Sequence, residues 1–427
     1  MTSTWESFGW RASEVPRSEL DDSRRAGLGV PLTLRPVREE GVVQRPIFDP
    51  ALKQHSNAYR AADPRFADAE VGAAWLAARR TALDLVLTAI AESEWADHLV
   101  LRGSVLLKGW LGDDAREPGD LDFVVVPEDW RIEEERTTSM LDGIAHAAQR
   151  SSAPRTCDTT PVRFDAADAV SEDIWTYERV PGRRLVLPWT ADGVPGGVVQ
   201  LDFVFNERLP LAHEPFPLPA GATLNAVTPE LSLAWKVMWL VTDRHPQGKD
   251  LYDAVLLAES CRLRYEVLRD AFLAAEPHYA LHPVRPATIS ALVADVEWDH
   301  FVKEYPDVLG TEAEYVERLA LALAPTFLGT EEGDAREVNR WWLELWVAQY
   351  RELLGRTDMP TVQRAMVAAG TPPVVAVVLT AELLGRERNS LQDLATTILA
   401  DPAWAAWTPY FNRGRNRERL DEQLSEL

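Results

Sequence analysis

An α+β core followed by an all-helical C-terminal region is the architecture implied by this 427-residue sequence. Three observations carry it. Short apolar runs bounded by Gly, Pro and Asp, among them "HLVLRG", "DLDFVVVP" and "VVQLDFVFN", read as strands. Stretches of helical periodicity alternate with them before about residue 255. From 285 onward the pattern is almost entirely helical, with breaks near 325–335, 355–360 and 370–373.

In order along the chain, residues 1–65 are rich in Pro, Arg, Ser and Asp with weak periodicity, so a poorly ordered arm is expected. "DAEVGAAWLAARRTALDLVLTAIAES", from 68, has helical spacing. "HLVLRG" is a strand ending at Gly103, and "SVLLKGWLG" a helix for which Ser104 is a suitable N-cap. The loop "DDAREPG" then delivers the strand "DLDFVVVP", and a helix follows over about 132–150. Residues 173–206 read as an antiparallel meander: "DIWTYERV", a turn at Pro181–Gly182, "RRLVLPW", a Gly-rich turn and "VVQLDFVFN". "TPELSLAWKVMWLVTD" starts a helix at Thr228 and Pro229; "RHPQGK" breaks it, and "DLYDAVLLAESC" begins the next. The expected domains are the arm 1–65, a core 66–225, a helical domain 226–330 and a helical extension 331–427.

Composition bounds the function. With 46% hydrophobic and 26% charged residues the chain is globular. Its longest apolar runs, such as "TPPVVAVVLTAELLG", fall short of the roughly 20 residues that span a bilayer. The N-terminus has no apolar signal region. Cys157 and Cys261 form neither a disulfide framework nor a metal motif, so a cytoplasmic protein is expected. A net charge of −23 argues against a long nucleic-acid track but leaves room for contact with one RNA end.

Chemistry concentrates between residues 100 and 255. Asp120 and Asp122, at i and i+2 of a strand, point to one face. Two adjacent carboxylates repel unless a cation lies between them, and Mg²⁺ is commonly shared between carboxylates and phosphates. Asp202, an isolated acid in "VVQLDFVF", supplies a third. For the pair alone, a solvated strand end is the alternative. Gly103–Ser104 would present backbone N–H groups, a helix dipole and a hydroxyl to an anion, or would merely cap a helix. Lys236, in "LSLAWKVMWL", either snorkels to water or neutralises something buried. Arg244, His245 and Lys249 form a local basic cluster, followed by Asp250 and Asp253 on one helix face. The eight histidines show no ligand spacing, and tryptophan clusters such as "NRWWLELWVAQY" fit core packing better than base stacking.

"LVLRGSVLLKGWL…REPGDLDFVV" resembles the opening motif of the polymerase-β-type nucleotidyltransferase superfamily, and more narrowly of its AbiEii/AbiGii toxin group. "PELSLAWKVMWLVTDRHPQGKDLYDAVLL" resembles that group's second signature, in which a lysine-bearing helix precedes a basic residue and Asp-Leu-Tyr-Asp. The resemblance spans roughly 70–290; Pro118 stands where the loop usually has serine. It implies Ser104 near a triphosphate, Asp120 and Asp122 on Mg²⁺, Lys236 and Asp250 as the second signature's residues, and Asp202 as the third acid. Two Mg²⁺ ions, an NTP substrate, the tRNA 3′ end as acceptor and a cognate antitoxin follow as expectations. A transferase for a small compound such as an aminoglycoside is the alternative enzyme, and a non-catalytic nucleotide-binding protein the alternative class.

Overall fold

A computed structural model of the chain describes residues 4–153, 162–176, 180–219, 221–292, 296–328, 335–386, 390–411 and 414–426; Cys157 lies outside them. The chain divides into two compact units, Met1–Cys261 with Ala294–Tyr315, and Arg262–Val293 with Val316–Leu427. The boundaries expected at 65 and 225 therefore fall inside one unit, and the expected 226–330 domain is shared between two.

In the arm 1–65, expected to be poorly ordered, the described residues from Thr4 on are folded instead. Helix α1 (Asp22–Leu28) and the strands β1 (Val42–Val43), β2 (Pro46–Phe48), β3 (Tyr59–Ala61) and β4 (Arg65–Phe66) pair as β1–β4 and β2–β3. Trp5, Phe8, Val15, Leu20, Val30 and Leu34 form their own apolar cluster. The buried Arg25 guanidinium donates to the Leu20, Pro31 and Leu34 carbonyls, satisfying backbone groups that no ladder reaches. Six large apolar residues scattered over thirty positions leave no periodic signal, which is why the cluster is invisible in sequence.

Helix α2 (Ala69–Ala91) starts where Asp68 accepts from the Glu70 and Val71 N–H groups. Then come β5 (Leu99–Arg102), α3 (Ser104–Leu111), β6 (Leu121–Val125), α4 (Glu135–Ser151), β7 (Arg163–Phe164), β8 (Val170–Thr176), β9 (Val180–Ala191), β10 (Val194–Val204), β11 (Glu214–Pro217) and β12 (Thr223–Ala226). Their mixed sheet runs β11-β12-β5-β6-β10-β9-β7, with β8 also on β9; β6/β10 and β5/β12 are parallel, the other pairs antiparallel. The meander is present, but Pro181 and Gly182 lie within β9, opposite Trp175 and Ile174, rather than in a turn. One sheet face is apolar: Phe123 and Phe203, on adjacent strands, stack at 5.6 Å, and α2 packs against β10 and α4.

Helix α5 (Pro229–Thr242) begins as expected, with Thr228 accepting from Leu231 N–H and Pro229 at the first position. It packs on α6 (Gly248–Ser260). The chain then contributes α7 (Tyr265–Ala275) and α8 (Pro286–Ser290) to the second unit before α9 (Trp298–Glu304) and α10 (Glu312–Leu323). Helices α11 (Ala335–Arg356), α12 (Met359–Ala368), α13 (Pro373–Leu384), α14 (Leu391–Leu399), α15 (Thr408–Phe411) and α16 (Gly414–Glu426) complete the second unit. Trp342 is fully buried there with its indole N–H on the Tyr265 hydroxyl, and Trp341 stacks on the Tyr265 ring. Tryptophan packs this core, as its spacing implied.

Candidate active site

Four charged residues stand side by side across four neighbouring strands. Arg102 on β5 is the register partner of Asp122 on β6, Asp122 of Asp202 on β10, and Asp202 of Arg184 on β9. Register partners in a sheet project to the same face, so the row reads Arg-Asp-Asp-Arg opposite the Phe123–Phe203 face. Asp120 precedes β6 by one residue rather than lying on it. It still shares the parity of Asp122, and carboxylate oxygens of Asp120, Asp122 and Asp202 all lie within 4.8 Å of one another.

Neutralisation of the row is uneven. Arg184 donates from Nε to Asp202 Oδ1 and from Nη2 to Oδ2, both at 2.8 Å, and its Nη1 reaches Asp49 Oδ2 at 2.7 Å. All three groups are buried, and two carboxylates hold the guanidinium well above its usual range despite burial. Arg102 turns aside: its Nη1 donates to Glu207 Oε2 at 2.7 Å, and it lies over the Trp235 and Trp239 rings. Asp122 is thus left short of positive charge. Burial first, then the charges of Asp120 and Asp202, push its carboxyl up to about 7. For Asp120, burial works the same way, but Lys249, Arg60 and Arg116 outweigh it and hold the carboxyl below its usual range.

Gly103 is required here by contact. Its φ is +86°, and a Cβ on it would lie 2.4 Å from Asp122 Oδ2. Gly103, not Ser104, is the N-cap of α3, so the expected side-chain cap is absent. Ser104 opens the helix with its hydroxyl buried and, among the described residues, without a hydrogen-bond partner. Ser104 lines the same cavity as the carboxylates, and an unsatisfied hydroxyl at a helix N-terminus has the chemistry to donate to an oxyanion.

That cavity, of about 170 Å³, also brings in Lys236, Lys249 and Asp250. Lys236 does not snorkel. It is 5% exposed, and its Nζ meets Asp250 Oδ1 at 2.6 Å and Asp253 Oδ2 at 3.1 Å. Asp253, fully buried, also takes Arg116 through both oxygens at 3.0 and 2.9 Å. The i, i+3 pair of α6 therefore anchors two cations, Lys236 and Arg116. Burial disfavours the Lys236 ammonium, but Asp250 and Asp253 outweigh it and raise its pKa. Of the basic cluster, Arg244 is exposed and His245 faces Glu297 at 3.4 Å. Lys249 lines the cavity, and among the described residues no carboxylate lies within ion-pair distance of it.

Asp120, Asp122, Asp202, Asp250 and the Gly103–Ser104 turn thus line one cavity, while Asp253 is buried behind it on Lys236 and Arg116. The arginines were missed. Arg184 lies in an otherwise apolar strand but directly follows Arg183, so its signal is weaker than that of the isolated Asp202, and nothing local marks Asp49 or Arg60.

A family model described as the nucleotidyl transferase AbiEii toxin of type IV toxin–antitoxin systems matches residues 85–321, more than half of the chain. The chain belongs to the AbiEii toxin family. As an AbiEii member it is a nucleotidyltransferase from the toxin side of such a system. The AbiEii match takes in the carboxylate row, Ser104, Lys236 and Lys249, and leaves Asp49 and Arg60 outside it. Among solved structures, MenT4, a nucleotidyltransferase toxin from Mycobacterium tuberculosis, is similar at 19% identity and a TM-score of 0.42, over 64% of this chain and 89% of that one. No protein of curated function matches the chain.

Proposed function

We propose that this AbiEii member transfers an NMP from an NTP to the hydroxyl at the 3′ end of tRNA, in the presence of Mg²⁺. The observation that carries the reading is the register pairing of Asp122 with Asp202, with Asp120 within 4.8 Å of both. Oxygen-only donors this close, one of them with its carboxyl pushed up by burial and then by crowded like charge, fit a hard divalent cation. Asp120, Asp122 and Asp202 would hold it. When bound, one or two such ions polarise the phosphoryl oxygens and neutralise developing charge.

The remaining work falls to the chain. Ser104 Oγ and the first N–H groups of α3 receive β- and γ-phosphate oxygens. Lys249 supplies the cation that balances them, while the Lys236–Asp250 pair lines the same cavity and holds its wall. The acceptor oxygen attacks the α-phosphorus, the bond to pyrophosphate breaks, and Asp202 takes the hydroxyl proton. Arg184 occupies one direction on each Asp202 oxygen; a carboxylate has about four such sites, so a proton can still be accepted. Positioning and electrostatics supply most of the rate. A cytoplasmic location and an antitoxin encoded for this toxin belong to the same reading.

Incubation with each α-³²P-labelled NTP, Mg²⁺ and total tRNA tests it. Label at the RNA 3′ end that disappears in Asp120→Asn and Asp122→Asn is the expected result. No label on RNA with any nucleotide would overturn it, and label on an aminoglycoside instead would favour the small cationic acceptor to which the net charge of −23 is suited.

A further inference from the structure

A second feature of the first unit is a groove of about 270 Å³ between the N-terminal segment and α9. Its cations are Arg45, Arg65 and Lys303, with His300 beside them; its acids are Asp63 and Glu304. Both acids are already engaged, Asp63 with Arg79 at 2.9 Å and Glu304 with Arg60 at 3.3 Å. Arg65 Nη2 donates to the Lys303 carbonyl at 2.6 Å, which sets these two cationic residues side by side. Arg45, Arg65 and Lys303 are exposed, and among the described residues none has a carboxylate within ion-pair distance. Three unpaired cations in one groove are conspicuous in a chain of net charge −23.

The groove leads to the chemistry. It shares Asp63, Pro64 and Glu304 with a smaller cavity lined by Trp75 and Arg79, and that cavity shares Arg60, Asp120 and Lys249 with the carboxylate site. None of its basic residues is among the counter-charges of the carboxylates, which are Lys249, Arg60, Arg116 and Arg184. Arg45 and Arg65 belong to the segment outside the family match.

We propose that this groove binds the phosphodiester chain of the acceptor RNA next to its 3′ end, in an inference that rests on the RNA reading above. The repulsive field of the remaining surface confines contact to a few phosphates, and the groove supplies cations for about three. A single-stranded segment neutralised at about three phosphates gives a log–log salt slope near −2, or roughly a sixteenfold loss of affinity from 50 to 200 mM salt. A cationic small-molecule acceptor would be repelled from the same place.

The test is fluorescence anisotropy with a fluorescein-labelled RNA hairpin bearing a short single-stranded 3′ overhang. The expected result is that Arg45→Glu/Arg65→Glu/Lys303→Glu binds about tenfold or more weakly and loses most of the salt slope. Arg351→Glu/Arg386→Glu/Arg415→Glu, the same charge change at exposed cations of the second unit, should bind within about threefold of wild type. Fluorescent-NTP binding and melting temperature should be unchanged in both, and Arg45→Glu alone should already weaken the hairpin measurably. Equal weakening by both triples would overturn the proposal in favour of bulk charge. Undiminished binding by the groove variant, with wild type still labelling RNA, would overturn the groove and leave the transferase reading standing. Wild type that neither binds nor labels RNA would overturn both.

Discussion

Arg184 grips Asp202 through both carboxylate oxygens at 2.8 Å while its third nitrogen holds Asp49 at 2.7 Å. One buried guanidinium therefore ties the third acid of the site, on β10, to the N-terminal segment. Removing one partner of a buried pair leaves an uncompensated charge, typically worth about 3–5 kcal/mol. Arg184→Gln should accordingly lower metal-free stability by about that amount, with saturating Mg²⁺ restoring part of it. Thermal and urea unfolding with and without Mg²⁺ check this; a variant as stable as wild type without metal would contradict it.

Asp49 is predicted to act through Arg184. With Asp49→Asn the guanidinium falls wholly on Asp202 and competes harder with a cation. The Mg²⁺ concentration for half-maximal transfer should rise about tenfold, the size of one charge-assisted hydrogen bond, with KM for NTP little changed. Asp49→Glu should rescue it. In Arg184→Gln the added Asp49→Asn change should have no further effect, which Mn²⁺ binding by electron paramagnetic resonance can read without the reaction.

Metal binding should release a proton. The Asp122 carboxyl titrates at about 7 without a cation, so cation and proton compete for it below that pH. Mg²⁺ affinity should rise from pH 6 to 8, and calorimetry in buffers of different ionisation enthalpy should show proton release at pH 6 that fades by pH 8. The same group binds a proton when folded but not when unfolded between about pH 4 and 7, so its contribution to metal-free stability falls as pH rises through that window.

Two glycines separate contact from backbone strain. Gly103→Ala places a methyl 2.4 Å from Asp122 Oδ2 and should abolish most activity and Mn²⁺ binding. Gly112 also has positive φ, at +59°, but open space where the methyl would go. Gly112→Ala should cost about 1–3 kcal/mol of stability through backbone strain and leave turnover intact. Equal turnover in the two variants would refute the steric role of Gly103.

What could be read from the linear chain was short-range: the parity of Asp120 and Asp122, the Gly103–Ser104 turn, the Thr228–Pro229 helix start, the i, i+3 pair Asp250 and Asp253. Each depends on neighbours a few residues apart, where the periods of strand and helix translate spacing into direction. Asp202 was legible for a related reason, since a lone carboxylate in an apolar strand is costly unless it has a use. Strand register was not legible. Only pairing across the sheet sets Asp122 opposite Asp202, turns Arg102 away to Glu207, and gives Arg184 to Asp202. The N-terminal segment escaped for the same reason: its core comes from scattered apolar residues, and Asp49 and Arg60 gain meaning only beside charges more than fifty positions away. Long-range electrostatics and packing are properties of the assembled chain, and they decide here which acids are neutralised and which are left short of positive charge.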